Sequence, residues 1–419
     1  MRQYRPWILA AALIAPAAAQ TNPASRAVPV KLQGGPGAWT LLRGGQPYFI
    51  RGGAGGAALD QLVAHGGNSV RTWGSDQLPE ALAQAENRGL TMLVGLWLGH
   101  KGDGFDYSDP AQVEAQQSAA LATVLKYKDE PGVLAWGLGN EMEAGDNDTP
   151  ELWKAVNALA LKIKELDPAH PTVTVVAEIG ASKLENIRRY APAVDILGVN
   201  SYGGAATLAQ RLAEAGWTKP YIVSEFGPRG PWESPKTPWG APLEPTSTQK
   251  ADTYRRGYSA AVLGASGRCL GSYAFSWGYK YEATSTWFGM LMPQTLETLG
   301  AVDAVGELWT GARPGNSAPE IQGLDFKASG RTAAPGADLK ACVKASDPDG
   351  DPIAATWRLQ KDVRDAPDLL AGADASSALC VSFSAPSEPG AYRLYVELRD
   401  GRGHGATANA PFLVPRTSE

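Results

Sequence analysis

Two glutamates stand where the chain leaves a buried apolar run, Glu141 after residues 133–139 and Glu225 after residues 221–224. Cleavage of a glycosidic bond asks for such a pair of carboxyl groups, one protonated to donate to the leaving oxygen and one ionised to attack the anomeric carbon. A single pocket holds both states when burial and like charge raise one pKa while donors such as Arg71 and Tyr202 hold the other down. The neighbouring residues suit a sugar. Trp73, Trp97 and Trp277 offer flat apolar faces for a ring, Asn140 is placed beside the scissile bond to bind a hydroxyl, and His100 is a candidate for a sugar subsite. Trp232 and Trp239 lie in a proline-rich segment, 228–249, which is too long for an ordinary connection and is expected to wall the cleft. Residues 284–290, with Trp287 and Phe288, are expected on the opposite side. Glu143 and Asp146 read as solvated loop acids. Glu178 either faces the site or serves as a structural hydrogen-bond partner. Lys280 is discounted as a Schiff-base lysine, since nothing in the sequence shows it buried.

These residues need a scaffold that brings distant chain ends together. Eight short apolar runs, over 48–51, 69–73, 91–98, 133–139, 172–178, 195–200, 221–224 and 272–276, alternate with stretches of helical periodicity. The runs do not alternate polar with apolar residues, as strands covered on both faces should not. Leu152, Val156, Leu159, Ile163 and Leu166 share one helical face behind Thr149-Pro150, a cap followed by proline at the first helical position. Eight such units close a (β/α)8 TIM barrel, whose active site forms at the C-terminal strand ends. Glu141 and Glu225 would end strands four and seven.

The domain plan follows. A hairpin (28–32 and 39–42) is expected to plug the N-terminal end of a barrel spanning 28–311. A linker at 312–318 leads into short strand-like runs over 319–415, which suggest an immunoglobulin-like β-sandwich. Within it, Ser346-Asp347-Pro348-Asp349-Gly350-Asp351-Pro352 reads as a solvated Asx and proline turn in preference to a calcium loop.

Four segments carry a family resemblance. Residues 130–141 (EPGVLAWGLGNE) look like the acid/base motif of glycoside hydrolase clan A, especially the barrel of family 2. Residues 68–72 (NSVRT), 195–202 (DILGVNSY) and 219–227 (KPYIVSEFG) support it, in the same order along the chain. The resemblance, over about residues 45–311, implies a retaining mechanism with Glu141 as acid/base and Glu225 as nucleophile. It also implies that Asn140 touches a 2-hydroxyl, that Arg71 and Tyr202 support the nucleophile, and that Trp277 floors the glycone subsite. The chain departs from family 2 in having no jelly-roll domain before the barrel, and in placing Trp73-Gly74 where many members have a histidine. It is also reminiscent of family 5 and of secreted β-glucan transglycosylases of the clan.

Composition narrows the partners. Thirty-eight basic and 43 acidic side chains give the 419-residue chain a net charge of −5, with no basic stripe for nucleic acid. The expected partner is a carbohydrate substrate, with no cofactor; four histidines supply no imidazole cluster for a catalytic metal. Arg2 and Arg5 precede an apolar run that ends in Ala17-Ala18-Ala19, so residues 1–19 read as a signal peptide, too short in its apolar part to span a bilayer. Secretion or a periplasmic location is therefore expected. Of three cysteines, Cys342 and Cys380 are expected to pair and Cys269 to be a buried free thiol. The expected activity is hydrolysis of a β-linked glucan or related polysaccharide. A transglycosylase using the same covalent intermediate, and a non-catalytic carbohydrate-binding protein, are the alternatives. Oligomeric state is not legible.

Overall fold

In the computed structural model, which describes residues 26–370 and 378–416, the eight apolar runs form one closed parallel barrel. Ahead of it, β1 (Val30–Gln33), β2 (Thr40–Arg43) and β3 (Gln46–Pro47) make a small antiparallel sheet. Its Val30 and Leu41 pack with barrel-interior residues such as Leu93, Val173 and Ile222. The expected signal peptide lies outside the described residues. No helix among the described residues is long and apolar enough to cross a membrane.

The barrel strands are β4 (Ile50–Ala54), β5 (Ser69–Arg71), β6 (Thr91–Leu96), β7 (Val133–Leu138), β8 (Thr172–Ala177), β9 (Ile196–Asn200), β10 (Tyr221–Phe226) and β11 (Cys269–Phe275). Each pairs in parallel with its sequence neighbour, and β11 pairs with β4 to close the ring. The helices are α1 (Leu59–Ala64), α2 (Leu78–Glu86), α3 (Pro110–Tyr127), α4 (Pro150–Leu166), α5 (Ala181–Tyr190), α6 (Leu208–Glu214), α7 (Ser247–Ala261) and α8 (Gly300–Thr310). Helix α4 begins as its sequence predicts: the Thr149 side chain accepts from the Leu152 N–H, and Leu152, Val156, Leu159 and Ile163 are buried. Asp109 before Pro110 caps α3 in the same way, and a reciprocal box of Thr246 and Gln249 starts α7.

The first strand, expected over 48–51, runs over Ile50–Ala54 and so takes in Gly52 and Gly53. The reason is close packing. A Cβ on Gly52 would come within 2.2 Å of the Tyr273 ring, and one on Gly53 within 2.8 Å of Trp277, so only glycine lets β4 lie against β11.

After the barrel come β12 (Thr298–Leu299), β13 (Glu320–Phe326), β14 (Asp338–Ser346), β15 (Ala354–Lys361), β16 (Cys380–Ser384), β17 (Gly390–Arg399) and β18 (His404–Val414). Strands β13, β14 and β16 form one antiparallel sheet; β15, β17 and β18 form the other, with β12 adding in parallel to its β18 edge. Their facing side chains, among them Phe326, Val343, Trp357, Leu394 and Phe412, make a second core. Cys342 and Cys380 are opposite each other on β14 and β16 and form a disulfide, and Cys269 is free and buried. In the acidic loop Asp347 accepts from the N–H groups of Asp349 and Asp351, an Asx turn. The sheets are joined firmly to the barrel: Arg393 donates to the Pro242 carbonyl, and Arg399 pairs with Glu297 at 3.1 Å.

Candidate active site

At the end of β7 the chain turns sharply through Gly139 (φ 70°) and Asn140 into Glu141, which itself sits at φ 54°. Gly139 is required there, because a Cβ would meet the Met142 sulfur at 1.8 Å. Glu141 occupies a left-handed conformation that costs a non-glycine residue on the order of 1–3 kcal/mol. Its N–H is held by the Val175 carbonyl on β8 at 2.9 Å, which fixes the carboxyl over the barrel mouth. Glu225 needs no such turn, since it lies within β10 in register with Asn200 on β9.

Glu225 is 4% exposed and accepts three hydrogen bonds. Arg71 donates to Oε1 at 2.8 Å, the Trp73 indole N–H donates to the same oxygen at 2.7 Å, and the Tyr202 hydroxyl donates to Oε2 at 2.5 Å. Arg71, the last residue of β5, is buried and reaches across the barrel to the Ser224 carbonyl (2.9 Å) and Asn140 Oδ1 (2.6 Å) as well. Burial, followed by the charge of Glu225, pushes the Tyr202 hydroxyl well above its ordinary pKa, so it stays a donor.

Glu141 has a different environment. Its Oε1 accepts from Asn200 Nδ2 at 2.7 Å, and its pKa is raised, chiefly by burial and then by the negative charge of Glu225, against the opposing pull of that hydrogen bond. Asn200 also donates to Asn140 Oδ1 at 3.1 Å and accepts from Ser224 Oγ at 2.8 Å. The amide thus ties both glutamates' surroundings into one network.

Both carboxyls open into a cleft of about 640 Å³, a size suited to a small ligand or a few sugar rings. Trp73, Trp97, Asn140, Tyr202 and Trp232 line it too, and Trp97 and Trp232 are 54% and 57% exposed. His100 does not line the cleft: its Nε2 is 2.7 Å from the Asn140 carbonyl and its ring lies against Trp97. Trp239 is half-buried in the long loop, away from the cleft that Trp232 and Glu233 of the same loop help to wall.

Several expectations are corrected. Trp277 is 1% exposed and stacks on Trp309 of α8, outside the barrel; Phe275, two residues earlier, lines the cleft instead. The reason is that β11 ends at Phe275, so Trp277, two residues on, no longer follows the pleat that would have kept it on the same face as Phe275, and it turns onto the outer layer. Trp287 and Phe288 are fully buried, and Phe288 packs behind the cleft against Tyr202, Phe275 and Trp232. Glu143 is no solvated acid. It is 2% exposed, paired with Lys183 at 2.7 Å and bonded to the Ala177 N–H. Glu178 does both things open to it, lining the cleft while bonding Arg211 and Ser201. The sequence reasoning gave no role to Asn200, Phe275 or Glu233. Asn200 was detectable by its place at a strand end, whereas Glu233, inside a long loop, carried no signal.

No family model matches the chain. A probable mannan endo-1,4-β-mannosidase C of Aspergillus terreus is 27% identical over 158 residues, covering 31% of this chain and 38% of that protein's length. Among solved structures, a family 2 β-galacturonidase from Eisenbergiella tayi matches with a TM-score of 0.52 at 16% identity, over 68% of this chain and 55% of its own. A β-D-glucuronidase of Dictyoglomus thermophilum matches with a TM-score of 0.52 at 18% identity, over 68% of this chain and 54% of its own. The chain therefore spans little more than half the length of these structures, and at such identities the likeness is one of fold. The barrel of this chain thus shares the fold of the barrels in these glycosidase structures.

Proposed function

We propose that the chain is an exported, retaining β-glycoside hydrolase acting on a neutral β-linked polysaccharide, a glucan or a mannan. The observation that carries this reading is the contrast between the two carboxyls: Glu225 accepts from three donors, one of them a guanidinium, whereas Glu141 is buried with its pKa raised. Glu141 gives its proton to the glycosidic oxygen as a Glu225 oxygen bonds to the anomeric carbon and the sugar–oxygen bond breaks. Glu141, now ionised, takes a proton from water, whose oxygen displaces Glu225 from the sugar. Asn140 offers its Nδ2 to a sugar hydroxyl, its Oδ1 being held by Arg71 and Asn200.

The cleft lining carries Glu141, Glu178, Glu225, Glu233 and Glu282 against Lys280 alone, and that lysine pairs with Glu282 at 2.9 Å. This charge disfavours a uronic acid and supports an uncharged glycan, with exposed Trp97 and Trp232 as stacking surfaces. The sequence likeness to a mannan endo-1,4-β-mannosidase supports testing β-1,4-mannan beside β-glucans. The disulfide supports an oxidising compartment, and the two-sheet C-terminal region supports an immunoglobulin-like reading.

A panel of β-mannans and β-glucans is the direct test. Wild type should release sugars and Glu225→Gln should not; unchanged turnover in the variant would remove the assignment. Glu141→Ala with azide should give a β-glycosyl azide from an activated glycoside, and an α-azide would refute retention. Chain-lengthened products at high substrate would make the chain a transglycosylase by the same intermediate.

A further inference from the structure

Away from the cleft, three side chains from distant parts of the chain meet where the C-terminal sheets pack on the barrel. His65 follows the last turn of α1, Asp303 lies in the first turn of α8, and His404 begins β18. One ligand atom from each lies within 4.8 Å of the other two. Asp303 Oδ1 is 4.0 Å from His65 Nε2 and 3.6 Å from His404 Nε2.

Hydrogen bonding within the protein does not account for this arrangement. Asp303 is 6% exposed, and although its Oδ2 accepts from the Ala318 N–H at 2.7 Å, its Oδ1 has no hydrogen-bond partner among the described residues. His404 Nε2 is likewise buried without one, 3.6 Å being beyond hydrogen-bond range. His65 Nδ1 is 2.8 Å from the Gln61 carbonyl, which only accepts, so Nδ1 carries a proton and Nε2 is the ring atom turned toward the carboxylate. A ring nitrogen facing a buried carboxylate oxygen calls for a positive charge between them, a metal ion or a proton.

We propose that His65, Asp303 and His404 bind a divalent transition-metal ion, zinc being the best match, which clips the C-terminal sheets to the barrel. Two imidazoles and one carboxylate suit zinc and its neighbours and not calcium or magnesium. Around zinc at about 2.0–2.1 Å, tetrahedral ligand atoms lie about 3.3 Å apart, so the two Asp303 distances need to close by less than about 1 Å and the distance between the histidines by at most about 1.5 Å. The outer contacts orient the rings: His65 is fixed through Gln61, and His404 Nδ1 has Asn316 Nδ2 at 2.9 Å and Asp400 Oδ2 at 3.7 Å. Because the ligands come from the barrel and from β18, metal affinity adds directly to the stability of their union. The site is separate from the catalytic cleft and does not depend on the glycosidase reading.

The test uses the whole chain, free of any affinity tag, stripped with a chelator and dialysed. Zinc titration followed by elemental analysis should give one ion per chain and a raised Tm, and cobalt should give visible absorption bands of a four-coordinate site. His65→Gln and His404→Gln should each weaken zinc binding by at least about 100-fold and remove the cobalt bands, with circular dichroism unchanged. Should His404→Gln fail to fold, His65→Gln decides, its position being only partly buried. No uptake of zinc or cobalt at micromolar concentration, or unchanged affinity in His65→Gln, overturns the proposal. A metal-independent Tm that rises as pH falls through the imidazole range, with no zinc effect, also overturns it and assigns the place of the ion to a proton shared by His404 and Asp303.

Discussion

Tyr202→Phe isolates the hydrogen bond that best separates the two glutamates. The hydroxyl donates to Glu225 Oε2 at 2.5 Å, while the ring is held by Phe275, Phe288 and Trp232 at centroid distances of 5.8, 5.1 and 5.7 Å. Phenylalanine keeps those ring contacts and deletes only the donor. A hydrogen bond to a charged group contributes about 1.5–3 kcal/mol, equivalent to roughly 10- to 150-fold. The loss does not reach that of Glu225→Gln, because Arg71 and Trp73 still hold Oε1. The measurement is kcat/KM on the aryl β-glycoside matching the preferred glycan, since this ratio reports the step in which Glu225 attacks, together with Tm to show that packing survives. A value within twofold of wild type, at unchanged Tm, would refute the claim that Tyr202 holds the nucleophile.

Three other outcomes are expected. The raised pKa of Glu141 keeps it protonated above the ordinary carboxylate range of about 4.3, so kcat/KM falls as pH rises through the raised value; Glu225→Gln, by removing a negative neighbour, lowers that pKa, which a carbon-labelled glutamate NMR titration reads directly. Phe275→Leu should raise KM at a smaller loss of Tm than Trp277→Ala, which should cost about 3–5 kcal/mol of stability and leave KM unchanged; the reverse pattern would restore Trp277 to the cleft. Replacing Cys342 and Cys380 with serine opens a 38-residue separation and should lower the stability of the C-terminal sheets by about 2–4 kcal/mol, measured by calorimetry.

Repeating apolar runs and helical stripes were enough to determine the barrel, the hairpin before it and the strand ends carrying Glu141 and Glu225. Covalent order alone imposes these: a strand buried on both faces has to be apolar throughout, and its first polar residue marks the rim. The first strand was found but set two to three residues early, because the glycines of β4 owe their place to Tyr273 and Trp277, residues far along the chain that leave no room for a Cβ. Tertiary structure alone decided direction. Phe275 and Trp277 are equally aromatic in the sequence, and only the end of β11 at Phe275 leaves one in the cleft and lets the other turn against Trp309. The same holds for Glu143, held by Lys183 from α5, and for His65, Asp303 and His404, whose meeting no spacing announces. Sequence records which side chains are available, but burial and charge act through space, and the neighbours that set them are chosen by the closed ring and by the sheets packed on its flank.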